Sequence, residues 1–155
     1  MSVVTGSGYD VGRRTAGDAA LRLAAAAAVA TLVLHGLDHL RRGLDVVTGE
    51  VLVAANLQAL LAIGTAVLIF RRHRWAPAAA VAFGFGNIVG VALAHLVPHW
   101  SAFSDAFTGS HVAPGVTAFT WLTTMLEIAA DLWLGFIGLR MFREAHSDSI
   151  PARRS

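Results

Sequence analysis

The chain has 155 residues, of which 55% are hydrophobic and only 14% are charged, and its mean hydropathy is +0.61. This composition is more apolar than a soluble domain of that length requires, and it predicts an integral membrane protein. The absence of cysteine excludes disulfides, thiolate metal ligands and thiol redox chemistry. The 12 basic residues are all arginines and fall in clusters, so we attribute the pI of 10.4 to membrane orientation and not to nucleic-acid binding.

Four apolar segments have roughly the 20-residue length that crosses a bilayer core. These predicted spans cover residues 19–40, 51–70, 75–97 and 116–139. We therefore predict an all-α four-transmembrane-helix bundle within residues 18–143. A disordered tail, residues 1–17, precedes it, and a second tail, residues 144–155, follows it.

The distribution of arginine between the loops predicts how the bundle is oriented. With the N-terminus inside, nine arginines lie on the cytoplasmic side and two on the outer side, and Arg22 lies in the first turn of span one. Cytoplasmic loops carry the excess of positive residues in most membrane proteins. We expect a multi-pass protein of the cell membrane with both termini in the cytoplasm.

Span one ends in the polar stretch HGLDHLRRG, residues 35–43. One helical face carries the residues at positions i, i+4, i+7 and i+11, with a second histidine at its edge: Thr31, His35, Asp38 and Arg42, beside His39. Ionisable residues in a span are costly, and they almost always face the bundle interior and find partners there. This face predicts one wall of an interior polar site.

Span two carries Gln58 and Thr65 on one face and is predicted to be mainly a packing helix. Span three contributes His95 and His99 one turn apart, with Pro98 between them as a residue that ends or kinks the helix. Another face of span three is a ladder of small residues, which predicts close approach of a neighbouring helix or a homodimer contact: Ala82, Gly86, Gly90 and Ala94.

The stretch HWSAFSDAFTGSHVAPG, residues 99–115, follows span three and contains no arginine. Its aromatic residues Trp100, Phe103 and Phe107 have helical spacing, which predicts a short interfacial helix over the outer mouth of the bundle. On this helix, Asp105 and His111 are predicted to close the site from above.

Span four repeats the polar spacing of span one with Thr120, Thr124, Glu127 and Asp131. Within the predicted boundaries, His35 lies about 7 Å from the outer surface and Glu127 about 15 Å from it, at ~1.5 Å per residue. Two alternatives follow from that difference. Either span four begins later than residue 116, or the polar residues form an outer histidine layer and a deeper carboxylate layer.

Paired imidazole and carboxylate ligands on facing helices are typical of metal sites in four-helix bundles. We predict a metal-binding site in the outer half of the bundle with the ligands His35, His39, His95, His99, Glu127 and Asp131. Around them we expect Asp38, Asn87, Asp105, His111 and Thr124 to orient the ligands. The donor set suits Zn, Fe, Mn or Cu(II), and an open coordination position would make the protein a membrane-surface metalloenzyme.

Three alternatives remain open on the sequence. A haem could have His35 and His95 as axial ligands, which would make the protein an electron-transfer subunit. A proton or ion relay could run from His39 through His35 to the carboxylates of span four. The polar residues could also dock a structural membrane subunit onto a partner protein.

Overall fold

The computed structural model describes residues 7–147, with side chains for residues 15–145. The elements are α1 (Ser7–Arg42), α2 (Gly49–Phe70), α3 (Ala76–Val91) and α4 (Ala118–Ser147), and a short 3-10 turn (Leu44–Val46) and a π-helical turn (Ala92–Leu96) complete them. No strand occurs among residues 7–147. The first six and last eight residues of the predicted tails lie outside the described residues.

The four spans predicted from hydropathy are confirmed as helices long and apolar enough to cross a membrane. Their apolar stretches cover Thr15–Arg42, Gly49–Phe70, Ala76–Leu96 and Ala118–Ala145, with hydropathies of 1.7, 2.1, 1.7 and 1.5. In hydrocarbon every backbone polar group needs an internal partner, and a helix supplies one. Helix α1 also includes residues 7–17, and α4 continues beyond residue 143 to Ser147.

Local sequence explains where the helices end. Gly43 follows α1 with a φ of 99°, a conformation that favours glycine, and its N–H donates to the carbonyl of His39 at 3.1 Å. The Oγ1 of Thr48 accepts from the N–H of Val51 at 3.3 Å and caps the N-terminus of α2. After the π-helical turn, Pro98 cannot continue a helical hydrogen-bond pattern.

The core away from the histidines is built from small side chains, which let the helices approach closely. Its buried members come from all four helices: Leu21, Ala24, Ala25, Ala28, Ile69, Ala76, Ala80, Ala130 and Leu134. Helices α3 and α4 meet where Gly84 faces Gly135, and a Cβ on Gly84 would lie 2.6 Å from the carbonyl oxygen of Asp131. The predicted small-residue ladder lies elsewhere on α3, since a Cβ on Gly86 or Gly90 would have no neighbour within 4 Å. Its proposed role in a homodimer stays a prediction.

The predicted interfacial helix is wrong. Residues 97–117, all of which are described, form turns and bends without a helix. The reason is that this loop bonds back to the end of span three: the N–H of Asp105 donates to the carbonyl of Ala94 at 2.9 Å, and that of Phe107 donates to the carbonyl of His95 at 2.8 Å. Phe107 is thereby buried, whereas Trp100 and Phe103 stay exposed, so the three rings do not share one face.

The glycine contact between α3 and α4 gives a first prediction. Gly84→Ala should lower the free energy of unfolding by about 1–3 kcal/mol, because the new methyl group forces two helix backbones apart. Thermal unfolding of the detergent-solubilised protein measures the change. Gly86→Ala, half a turn away on α3 with open space around it, is the matched control. Equal melting temperatures for the two variants would contradict the close packing.

Candidate metal centre

Three histidines from two helical segments converge at the end of the bundle where α1 ends and α4 begins. His35 and His39 lie one turn apart on α1, and His95 lies in the π-helical turn after α3. One ligand atom from each side chain lies within 4.8 Å of the other two. The rings are in contact, with centroids 5.0 Å apart for His35 and His39 and 4.9 Å for His35 and His95. We call these three residues the histidine cluster.

The π-helical turn is what brings His95 into the histidine cluster. The N–H of Val97 donates to the carbonyl of Ala92 at 3.2 Å, five residues back, so the helix widens just before Pro98. Such turns occur frequently at functional sites. His95 is buried in this turn, while the ring of Phe107 stacks on it with centroids 4.5 Å apart.

The Nδ1 of His35 is hydrogen-bonded to the carboxylate of Glu127 on α4. Glu127 is fully buried, and it also accepts hydrogen bonds from the side-chain amides of Gln58 on α2 and Asn87 on α3. A carboxylate on the Nδ1–H of a histidine fixes the ring orientation and leaves Nε2 for another partner. Glu127 therefore supports His35, a role that the sequence had assigned to Asp38.

Asp105 in the loop lies beside the other two rings and is hydrogen-bonded to one of them, that of His95. The Nδ1 of His95 donates to the backbone carbonyl of Asp105 at 3.0 Å, and the Nδ1 of His39 lies 3.7 Å from its carboxylate. Arg42 holds that carboxylate in place by donating from Nη2 to both oxygens at 2.6 Å. Nδ1 is hydrogen-bonded to an oxygen in His35 and His95, whereas the buried Nδ1 of His39 has no hydrogen-bond partner in the described part of the chain.

The Nε2 atom of His35 is buried and has no hydrogen-bond partner in the described part of the chain. A buried polar atom without a partner is costly, and most such atoms in folded proteins are satisfied. His35 is 5% exposed as a residue and its Nε2 atom is buried, so bulk water does not solvate this nitrogen. Its free position beside His39 and His95 marks a place where a ligand would be stabilised.

The remaining predicted site residues fall into a deeper group and an outer group. In the deeper group, Asn87 donates to Asp131 at 2.6 Å as well as to Glu127 at 3.1 Å. The hydroxyl of Thr124 donates to the carbonyl of Thr120 on its own helix at 2.9 Å. The structure thus brings Asn87, Glu127 and Asp131 together below the histidine cluster.

In the outer group, Asp38 is buried but accepts from Arg41 at 2.8 Å. His99 and His111 are both exposed, and their ring centroids are 6.4 Å apart. Pro98 ends the helical conformation before His99, so His99 does not lie one helical turn beyond His95 on the same face. The structure does not bring His99 or His111 into the histidine cluster.

The helix boundaries explain how Glu127 and His35 meet. Helix α1 continues to Arg42 and α4 begins at Ala118, so His35 lies seven residues before one end and Glu127 nine residues after the other. At ~1.5 Å per residue their depths are about 10 Å and about 13 Å. The sequence had predicted the end of span one at residue 40 and the start of span four at residue 116, two residues earlier in each case. The lengths of the two side chains bridge the remaining difference in depth.

A cavity of about 620 Å³ lies between α1, α2 and α3 and touches all three histidines of the cluster. Gln58 and Asn87 contribute polar groups to its wall, which is otherwise mainly aliphatic. Trp100 and Phe103 of the loop also line it.

The charges around the site are unevenly compensated. Asp105 and Asp38 each have an arginine partner, Arg42 and Arg41. Glu127 and Asp131 are buried without an arginine partner among the residues whose side chains are described. Their hydrogen-bond partners are His35 and the side-chain amides of Gln58 and Asn87, which satisfy buried carboxyl oxygens.

No protein-family model, curated protein or solved structure matches the chain. The function is therefore inferred from the geometry of the site.

The sequence interpretation missed three residues of the site. Gln58 was assigned to packing, although it is a polar side chain in the middle of a span, which is the pattern that points to an interior partner. Arg42 was placed on the polar face of span one, but its fully buried pairing with Asp105 depends on the loop conformation. The stacking of Phe107 on His95 depends on the same conformation and leaves no pattern in the sequence.

The amide of Asn87 gives a second prediction. Asn87→Leu should lower the free energy of unfolding by about 1–3 kcal/mol, because it leaves a buried oxygen of Asp131 without a donor and removes one of the two amides that donate to Oε1 of Glu127. Thermal unfolding in detergent tests this. Asn56→Leu is the control, since Asn56 is exposed and donates only to the carbonyl of Leu52 on its own helix. A loss in both variants, or in neither, would contradict the buried network.

Proposed function

We propose that the protein is a metal-binding membrane protein whose histidine cluster holds one divalent transition-metal ion. The observation that carries this proposal is the convergence of His35, His39 and His95, with ligand atoms within 4.8 Å of one another. Small rotations of the rings would bring the nitrogens to the ~2.0–2.1 Å at which imidazole binds zinc. The oxygens on Nδ1 of His35 and His95 support it, since metal-binding histidines commonly donate their other N–H to such groups.

The donor set narrows the choice of metal. Glu127 is engaged by His35, Gln58 and Asn87, which leaves three imidazole nitrogens as the ligands. Imidazole suits Zn, Cu and Fe, whereas Mn prefers carboxylate and water oxygens. We therefore propose Zn, Cu(II) or Fe(II) as the occupant.

A set of three histidines leaves a coordination position for water or a substrate, as in catalytic zinc sites. A metal ion there would act as a Lewis acid and would lower the pKa of its bound water. The reaction classes that this supports are hydrolysis and oxidation at the membrane surface. From the arginine distribution, we further propose that the histidine cluster lies in the outer half of the cell membrane, with both termini cytoplasmic.

Two alternatives fit the geometry less well. The rings of His35 and His95 are in contact, with centroids 4.9 Å apart, so no layer remains between them for a haem macrocycle. A proton relay from His35 through Glu127 would reach Asp131 only across Asn87, whose amide nitrogen donates to both carboxylates. An amide that donates in both directions has no lone pair on that nitrogen with which to pass a proton.

Metal analysis gives a third prediction. The detergent-purified protein should bind close to one equivalent of Zn²⁺ or Co²⁺, and His39→Ala and His95→Ala should each lose it, because two ligands remain. Elemental analysis after dialysis measures the metal content, and a visible spectrum reports any haem. His99→Ala is the matched control and should keep the metal.

The contrary outcomes are distinct. A Soret band that depends on His35 would replace the metal by a haem. Equal metal content in all three variants would show that the metal binds outside the histidine cluster. A protein that binds neither metal nor haem would favour the two other functions of the polar network, a proton relay or a contact with a partner subunit.

The carboxylates of α4 give a fourth prediction, which separates orienting residues from ligands. Glu127→Gln should weaken Zn²⁺ binding by about 10–100-fold, because the group on Nδ1 of His35 loses its charge. Asp131→Asn is the control, one turn along α4 and equally buried, and it should keep the affinity within about threefold. Competition with a zinc chelator measures both. If Asp131→Asn abolishes binding, Asp131 is itself a ligand.

A further inference from the structure

The cavity beside the histidine cluster follows the helix axes over a considerable length. It is lined on α1 from Val29 to His39 and on α2 from Val51 to Ile63. At ~1.5 Å per residue these stretches are about 15 Å and about 18 Å long. The cavity is therefore elongated within the membrane-spanning part of the bundle, with the histidine cluster near one end.

The cavity wall carries five polar side chains, and the remainder of its helical lining is apolar. His35, His39 and His95 line one end, and Gln58 and Asn87 line the middle. The other side chains of α1, α2 and α3 that border it are aliphatic and have no hydrogen-bonding group. A polar solute would lose its hydration there without compensation, whereas an alkyl chain would lose nothing.

We propose that the ligand of this site is a membrane-dissolved amphiphile, with its long apolar tail in the cavity and an oxygen-bearing head group at the metal. This inference rests on the proposed metal site and names its substrate class. The volume of about 620 Å³ lies in the range of small-molecule sites. The unpartnered Nε2 of His35 marks where the metal and the head group meet.

Two glycines keep the cavity open. Gly36 on α1 and Gly90 on α3 both line it, and neither has an atom within 4 Å of the position that a Cβ would take. A Cβ at either position meets no neighbouring helix, so we expect a large side chain there to occupy part of the cavity.

A matched pair of substitutions on α3 tests the proposal. Gly90→Leu should fill the cavity, whereas Gly86→Leu lies one turn earlier, has equally open surroundings and does not line the cavity. The probes are decanohydroxamate and acetohydroxamate, which share a metal-binding head and differ in the tail. Each is titrated into Co²⁺-loaded protein in one detergent, and the cobalt absorption bands report binding of the head.

We expect Gly90→Leu to bind decanohydroxamate about tenfold or more weakly than the parent protein, with Co²⁺ content and acetohydroxamate binding unchanged. Gly86→Leu should match the parent protein with both probes. If Gly90→Leu does not fold, Ala55→Phe on the α2 wall of the cavity replaces it and should give the same selective loss.

The outcomes separate the two proposals. A parent protein that takes up no Co²⁺ would overturn the metal site and this inference together. A parent protein that binds Co²⁺ but whose affinity for decanohydroxamate is unchanged by Gly90→Leu and Ala55→Phe would overturn the amphiphile alone. An equal loss of decanohydroxamate affinity in Gly86→Leu would also overturn it. The effect would then come from the surface of α3 outside the cavity, for example from a homodimer contact through the small-residue ladder.

Discussion

The buried carboxylate of Glu127 is the constraint on which the bundle depends. A carboxylate inside a membrane span is costly unless other groups satisfy it. Its donors are His35 from α1, Gln58 from α2 and Asn87 from α3, so one side chain of α4 is bonded to each of the other three helices. Packing of aliphatic side chains tolerates sliding and rotation, whereas this arrangement fixes the height and rotation of all four helices at once.

The histidine cluster follows from the same requirement for partners. With Nδ1 of His35 bound to Glu127, its Nε2 turns toward the other two rings. His95 is held in the same manner by the carbonyl of Asp105, and Arg42 ties Asp105 to the end of α1. The loop therefore belongs to the site as much as the helices do, although it has no regular structure. Two imidazole nitrogens of the histidine cluster, Nε2 of His35 and Nδ1 of His39, are buried without a hydrogen-bond partner in the described part of the chain.

The parts of the structure that depend on composition were predictable, and those that depend on one loop were not. The four spans follow from apolar length, and the interior position of His35, His95, Glu127 and Asp131 follows from the cost of exposing them to lipid. The helical spacing of the loop aromatics was misleading because backbone hydrogen bonds to the π-helical turn compete with helix formation there. His99 lies outside the histidine cluster because Pro98 interrupts the helix. The sequence predicts this interruption, but it does not predict how far His99 is displaced.

The tightly packed contacts of the bundle and its cavity lie in different places. Away from the histidines, α1, α3 and α4 pack through alanine and glycine, where a Cβ on Gly84 or Gly138 would already clash. Beside the histidines, α2 leaves the cavity between itself and its neighbours. The close contact of α3 and α4 holds Glu127 and, through it, His35, while Gly36 and Gly90 line the cavity in which we propose the ligand. A ligand in the cavity would reach a metal ion bound by the histidine cluster without passing the tightly packed contact between α3 and α4.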